Sequence, residues 1–115
     1  MTIRDVMETL NASLLTPEVD ISHEVHTACG SDMMSDVLAY VKDQAVLVTG
    51  LNNPQVVRTA DMMDMTCIVF VRGKTPDEII LNLAQQREIA VLRTELPMFT
   101  ACGLLYEKGL RGSQV

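Results

Sequence analysis

The sequence predicts an α/β fold of three layers, α/β/α, with a mostly parallel sheet built from repeated strand–helix units. Three observations carry this. The short runs Val46-Leu47-Val48-Thr49, Ile68-Val69-Phe70-Val71 and Ala90-Val91-Leu92 are apolar almost throughout rather than at alternate positions. Strands buried on both faces read this way. A loop and a helix start follow each run, and Val46, Ile68 and Val91 are separated by steps of 22 and 23 residues. That period suits one strand plus one helix, and right-handed crossovers then bring every strand-to-helix loop to one edge of the sheet.

The elements follow in order. Ile3, Val6, Met7 and Leu10 recur at helical spacing, with Thr2 as cap and Asp5 as the third residue of a capping box. An extended region over 13–25 follows, broken by the turn signal Thr16-Pro17. A second helix is expected after Gly30, capped by Ser31 or Asp32, with Met33, Met34, Val37, Leu38 and Val41 as its buried stripe. Asn53-Pro54 and Thr75-Pro76 mark two further starts, Thr75 forming a capping box with Glu78. Their core faces are expected at Val56, Ala60 and Met63, and at Ile79, Ile80, Leu83 and Ala84. The last helix is expected from Thr94-Glu95, with Leu96, Phe99, Gly103 and Tyr106 on one face and Lys108-Gly109 as its end. One domain is expected over residues 1–108, with a flexible tail over 109–115.

Composition excludes several function classes. Fifteen Asp and Glu against nine Lys and Arg give the 115-residue chain a net charge of −6. Nucleic acid and anionic membranes both call for clustered cations, so neither is expected as a partner. Four aromatic residues do not make a base-stacking platform. No apolar run approaches the roughly 20 residues of a membrane span, and the N-terminus has no signal-peptide core, so a cytoplasmic protein is expected. Cys29, Cys67 and Cys102 form no CxxC pair and are read as structural thiols. Cys29 stands apart because it precedes an expected helix start, where a thiol pKa can fall. His23 and His26 lie three apart in an extended segment and point to opposite faces, so no metal site is expected there. Asp32 and Asp36 share a helix face, where either acid–base chemistry or the helix dipole can account for them.

Chemistry is therefore sought at the carboxyl edge of the sheet, where small molecules bind in open α/β folds. The loops there are Thr49-Gly50-Leu51-Asn52-Asn53, Arg72-Gly73-Lys74-Thr75 and Arg93-Thr94-Glu95, joined by the Gly30-Ser31-Asp32 turn. Glycines for close approach, free N–H groups at helix starts and cationic side chains suit a phosphate or carboxylate. Ser31, Asp32, Asn52, Asn53, Gly73, Lys74, Thr94 and Glu95 are the candidate ligand-binding residues. The competing reading is that these loops only cap helices, as every α/β protein needs. Gly73-Lys74-Thr75 ends like a P-loop, but the position of its first glycine is Ile68, inside a strand. No catalytic residue, metal site or cofactor is assigned.

At this point the chain resembles the DRTGG domain family over most of its length. The features are the opening helix, the run Gly30-Ser31-Asp32-Met33-Met34-Ser35-Asp36-Val37 with its S-D-x-x-S-D pattern, the strand Ala45 to Gly50, Asn52-Asn53-Pro54-Gln55, and Thr94-Glu95-Leu96. The eponymous Asp-Arg-x-x-Gly-Gly stretch is degenerate here, running from Asp20 to Gly30 without an arginine. The resemblance implies a regulatory or dimerisation module without established catalysis. Such domains stand alone or are attached to phosphotransacetylases and CBS-containing pyrophosphatases, and they are similar to the N-terminal domain of HPr kinase. Stand-alone members resemble accessory proteins of anaerobic prokaryotes, some associated with iron-only hydrogenase systems.

Three readings follow. The first is a non-enzymatic, homodimeric sensor of a small anionic metabolite or nucleotide. The second is a docking protein that binds an accessory partner protein and no metabolite. The third is a small enzyme using Asp32, Asp36 or Cys29. The first is favoured, because no catalytic constellation is recognisable.

Overall fold

The computed structural model describes residues 1–40 and 45–112. Its elements are α1 (Ile3–Thr9), β1 (Ser13–Leu14), β2 (Thr27–Gly30), α2 (Met34–Tyr40), β3 (Ala45–Thr49), α3 (Pro54–Met62), β4 (Cys67–Phe70), α4 (Glu78–Gln86), β5 (Ala90–Arg93) and α5 (Met98–Glu107). The strands form one sheet in the order β1-β5-β4-β3-β2. β2 to β5 run parallel, and β1 closes the β5 edge antiparallel, with Ser13 opposite Arg93.

Alternation along the strands assigns the two faces. Leu47, Ile68, Phe70 and Val91 point to one side, where they pack with Met34 and Val37 of α2, Val56, Val57 and Ala60 of α3, and Ile80 and Ala84 of α4. Val46, Val48, Cys67, Val69 and Leu92 point to the other, against Ile3 and Val6 of α1 and Ala101 and Leu105 of α5. The three-layer α/β/α fold read from the sequence is the fold observed. Its crossovers move in one direction, β2 to β5, and α2, α3 and α4 all cover the same face. The parallel part of the sheet therefore contains no point where the strand order reverses, the usual place for a deep crevice.

Helix ends follow local chemistry. Thr2 and Asp5 form the expected capping box, and Asn53 caps α3 with Pro54 behind it. Four helices end in the same motif, with the residue beyond the cap in the left-handed conformation: Asn11, Asp64, Glu88 and Gly109. In each, the next N–H donates back to the helix: Ala12 to Met7 O, Met65 to Ala60 O, Ile89 to Ala84 O and Leu110 to Leu105 O. This is the Schellman arrangement, with an apolar residue closing each end.

Several expectations are corrected. α4 begins at Glu78, not after Thr75; Asp77 is its cap and accepts from Ile80 N at 3.0 Å. Thr75 hydroxyl oxygen instead accepts from Arg93 Nε. Asp77→Ala is accordingly expected to cost about 1 kcal/mol in urea unfolding, and Thr75→Ala is not expected to show a capping loss. α5 starts at Met98 after Pro97, and its buried face is Ala101 and Leu105. Phe99, Gly103 and Tyr106 lie on the outside. Met33, Leu38 and Ile79 are exposed too, and Val41 lies outside the described residues. The segment 23–26 makes only an isolated bridge at Glu24, and the edge strand is Thr27–Gly30. The turn expected at Thr16-Pro17 is present, closed by Val19 N donating to Thr16 O at 3.1 Å, and Thr16 is itself buried, its hydroxyl oxygen accepting from Val91 N. Where a frayed tail was expected, Leu110 is buried and Arg111 O accepts from Ala28 N on β2. Residues 113–115 of that tail lie outside the described residues.

Candidate functional site

Four loops meet at the carboxyl edge, and side chains lace each to the next. Asp32, between β2 and α2, reaches the β3–α3 loop, where its Oδ1 accepts from Gly50 N at 2.7 Å and Thr49 Oγ1 at 3.1 Å. Asn52 Nδ2 donates to Thr75 O at 3.2 Å, tying that loop to the one after β4. Arg93, at the end of β5, donates from Nε to Gly73 O at 3.2 Å and to Thr75 Oγ1 at 2.9 Å. Its Nη2 pairs with Glu95 Oε1 at 2.9 Å. Backbone bonds complete the lacing: Arg72 N donates to Leu96 O and Gly73 N to Thr94 O, both at 2.8 Å.

Two glycines make room for this. A Cβ on Gly50 would fall 2.5 Å from Arg72 Nη2 and 3.6 Å from Asp32 Oδ1, so the Arg72 guanidinium lies directly over the Gly50 backbone. Gly73 has φ +66°, and a Cβ there would sit 2.5 Å from Glu95 Oε2 and 3.3 Å from Arg93 Nη2. Arg72, just before it, is also left-handed at φ 56°. Asn11, Asp64 and Glu88 owe that conformation to helix ends, whereas Arg72 and Gly73, both left-handed, are the central pair of a tight turn after β4 that Lys74 N closes by donating to Val71 O at 3.1 Å. Such a conformation costs a non-glycine residue about 1–2 kcal/mol. It places a cation at the sheet edge with no hydrogen-bond or ion-pair partner among the described residues. Lys74 is exposed and equally unpartnered among them.

The sequence-predicted residues sort as follows. Ser31, Asp32, Asn52, Asn53, Gly73, Lys74 and Glu95 all stand at this edge. Ser31 Oγ accepts from Met33 N, and Asn53 Oδ1 accepts from Gln55 N as the α3 cap. Thr94 does not face the edge; it is 2% exposed and its hydroxyl donates to Leu10 O at 2.9 Å. Asp32 precedes α2 rather than sharing a helix face with Asp36, and its carboxylate organises loops. Arg72, Arg93, Gly50 and Thr75 were visible as loop residues, but nothing in their spacing assigned the lacing to them. The unusual conformation of Arg72 has no sequence signal beyond the glycine that follows it.

The cysteines are not poised for chemistry. Burial raises all three thiol pKa values, with Cys102 and Asp36 adding to the effect at Cys29. The low-pKa alternative for Cys29 is thereby reversed; the residue lies within β2, not at a helix start. Cys29 and Cys102 pack on opposite faces of the sheet and do not form a redox pair. Cys67 is pushed from 9.0 up to about 12. The unfolded chain ionises this thiol near 9, whereas the folded chain keeps its proton. Stability from this group is therefore intact below pH 9 and falls as pH rises toward 12, by at most about 1.4 kcal/mol per pH unit. Urea melts across that window should show the decline, and Cys67→Ala should make it shallower, leaving the contributions of Cys29 and Cys102.

Grooves among the described residues also lie away from the edge. One of about 420 Å³ is lined by Glu18, Val19, Asp20, His23, Gln85 and Glu88. Another of about 120 Å³ follows β2 and α5, and a third of about 360 Å³ lies between α3 and α4. Among the described residues, no group of three or more His, Cys, Asp or Glu side chains is placed to hold a metal ion. No helix among them is long and apolar enough to cross a membrane.

Fold and edge together define a small α/β module of continuous strand–helix repeats, with laced loops that present two cations unpaired among the described residues. The DRTGG domain model matches residues 5–107, and the chain belongs to the DRTGG domain family. A similar solved structure is that of the CBS and DRTGG domains in the regulatory region of Clostridium perfringens pyrophosphatase, complexed with its activator, diadenosine tetraphosphate. The likeness has a TM-score of 0.70 at 18% identity and covers 90% of this chain, which spans 45% of that structure. No curated protein matches the chain.

Proposed function

We propose that this chain is a regulatory module without catalysis of its own, working as a homodimer and sensing a small anionic metabolite or nucleotide at the carboxyl edge. The observation that carries this reading is Arg72. A charged side chain is kept in a costly left-handed conformation at a sheet edge, and neither it nor Lys74, two residues on, has a partner among the described residues. Backbone strain of this kind clusters at ligand clamps. An anion between the two cations meets charge-assisted donors. Asp32 Oδ2 and Asn52 Oδ1 remain as acceptors for the hydroxyl or amino groups of a nucleoside. The pyrophosphatase regulatory region, with its nucleotide activator, supports nucleoside polyphosphates as the first class to try.

The non-catalytic part of the reading rests on the same chemistry. Ser31 is held by its own turn, Asp32 by Gly50 and Thr49, and the thiols by burial. A second reading, docking of an accessory partner protein with no metabolite bound, is favoured by the exposed Met33, Met62 and Ile79 around the α2–α4 layer.

A thermal-shift screen against nucleoside polyphosphates, acyl phosphates and organic acids separates the two. A ligand that binds only the folded chain adds about 2.7 kcal/mol of stability at a hundredfold excess over its Kd. The sensing reading expects a clear rise in Tm with at least one anion class. Flat curves across all three classes overturn it and leave the docking reading.

A further inference from the structure

The two ends of the Arg93 guanidinium have different surroundings. Its Nε is fixed by the loop after β4, donating to Gly73 O at 3.2 Å and to Thr75 Oγ1 at 2.9 Å. Among the described residues its Nη groups meet one polar partner, Glu95 Oε1, 2.9 Å from Nη2. The two side chains also differ in freedom, Arg93 being 31% exposed and Glu95 76%. Arg93 is tethered through Nε whether or not Glu95 is in place. Glu95 has no other partner among the described residues, so its carboxylate is free to leave.

That carboxylate stands where an anion would. Its Oε2 lies 2.5 Å from the position of a Cβ on Gly73, so it covers the bare backbone between Arg72 and Lys74. Arg72 spreads over Gly50 on the β3 side of this turn, and Arg93 lies over Gly73 on the β5 side. Three cationic side chains, Arg72, Lys74 and Arg93, therefore leave one turn and the strand end beside it. Among the described residues, Glu95 is the one carboxylate paired with any of them. A carboxylate on a guanidinium presents two acceptor oxygens, as a phosphate group does.

We propose that Arg93 is a third anion-binding residue of the carboxyl edge and that Glu95 masks it in the unliganded chain. An arriving phosphate group takes the place of the Glu95 carboxylate on the Nη side of Arg93, and Glu95 swings into solvent. The exchange is easy, because an exposed ion pair is weak and screened by salt. A phosphate gains more there, since a guanidinium meets it through two parallel charge-assisted bonds. The tether at Nε keeps the loops laced throughout. The mask also sets a preference. A monocarboxylate offers Arg93 no more than Glu95 already does, whereas a chain of phosphates supplies greater charge and reaches Arg72 and Arg93 on the two sides of the turn. The edge therefore discriminates for polyphosphates against simple organic acids.

This inference rests on the anion site of the proposed reading and adds its regulation. Calorimetric titration of inorganic tripolyphosphate into the whole chain tests it. Glu95→Gln is expected to bind about two- to fivefold more tightly than the unsubstituted chain, the worth of an exposed ion pair no longer broken. Glu107→Gln removes the same charge at the far end of α5, about 15 Å along a ten-residue helix, and is expected to change nothing. Arg93→Gln is expected to bind about tenfold or more weakly, and adding Glu95→Gln to it restores nothing. Acetate is expected to give no saturable heat with any of these chains. A Glu95→Gln chain that gains no more than Glu107→Gln, while Arg72→Gly still loses affinity, overturns the mask and leaves the anion site standing. A gain that persists in the Arg93→Gln background overturns the role of Arg93. Absence of saturable binding to the unsubstituted chain and to Glu95→Gln alike overturns the anion site, and this inference with it.

Discussion

Phe70→Ala is expected to destabilise the fold by about 3–5 kcal/mol, the cost of emptying a large buried site that can only partly collapse. Phe70 is fully buried at the end of β4, in the core shared by the sheet and α2, α3 and α4. Its carbonyl accepts from Thr94 N, so the backbone around the vacated volume is held by the sheet. Small domains have only about 5–15 kcal/mol in total. The variant should therefore sit near the edge of folding, and its urea midpoint should fall steeply. Phe99→Ala provides the contrast, because its ring is in solvent; in dilute protein its effect should stay within about 0.5 kcal/mol. Equal losses for the two variants would mean that the assignment of α5 faces is reversed.

Arg72→Gly is expected to move stability and binding in opposite directions. Glycine relieves the left-handed strain at φ 56°, while extra freedom in the unfolded chain offsets part of that gain. The net should be a stabilisation of up to about 1 kcal/mol in urea unfolding. Anion binding should weaken by about 1.5–3 kcal/mol, tenfold to a hundredfold, the worth of a charge-assisted contact. Gain of stability with loss of affinity is the signature of a residue held in place for its side chain. Loss of stability instead would make Arg72 an ordinary part of the loop lacing.

Much of this architecture was legible because it rests on local chemistry or on burial from both sides. β3, β4 and β5 read as continuous apolar runs since both faces are covered, and the cap at Asn53-Pro54 and the box at Thr2 and Asp5 involve neighbours in sequence. β2 was illegible for the opposite reason. Thr27-Ala28-Cys29-Gly30 is a short edge strand of small residues, and its strand character comes from pairing with β3. The buried face of α5 was misread because an all-apolar helix offers periodicity no contrast. Thr75 and Asp77 are both good caps, and the choice between them fell to Arg93, twenty residues along the chain from Gly73, through bonds that only the folded sheet brings together.

The candidate site divides the same way. Its location followed from topology, since parallel strands with right-handed crossovers must gather Ser31, Asp32, Asn52, Asn53, Gly73, Lys74 and Glu95 at one edge. The internal order of that edge did not follow. Asp32 on Gly50, Asn52 on Thr75 and Arg93 on Gly73 are contacts between residues far apart in sequence. Thr94 was placed at the edge by its number, but its hydroxyl turns inward to Leu10 O, at the end of α1.

The most direct test of the account is calorimetric titration of ATP and diadenosine tetraphosphate into the purified chain, repeated with Arg72→Gly and Lys74→Ala. The account predicts saturable binding of at least one nucleotide, about tenfold or more weaker in Arg72→Gly and weaker again in the double variant, with the far-ultraviolet circular dichroism unchanged. Binding that neither substitution weakens, or no saturable heat from either nucleotide, would contradict the nucleotide site at the carboxyl edge.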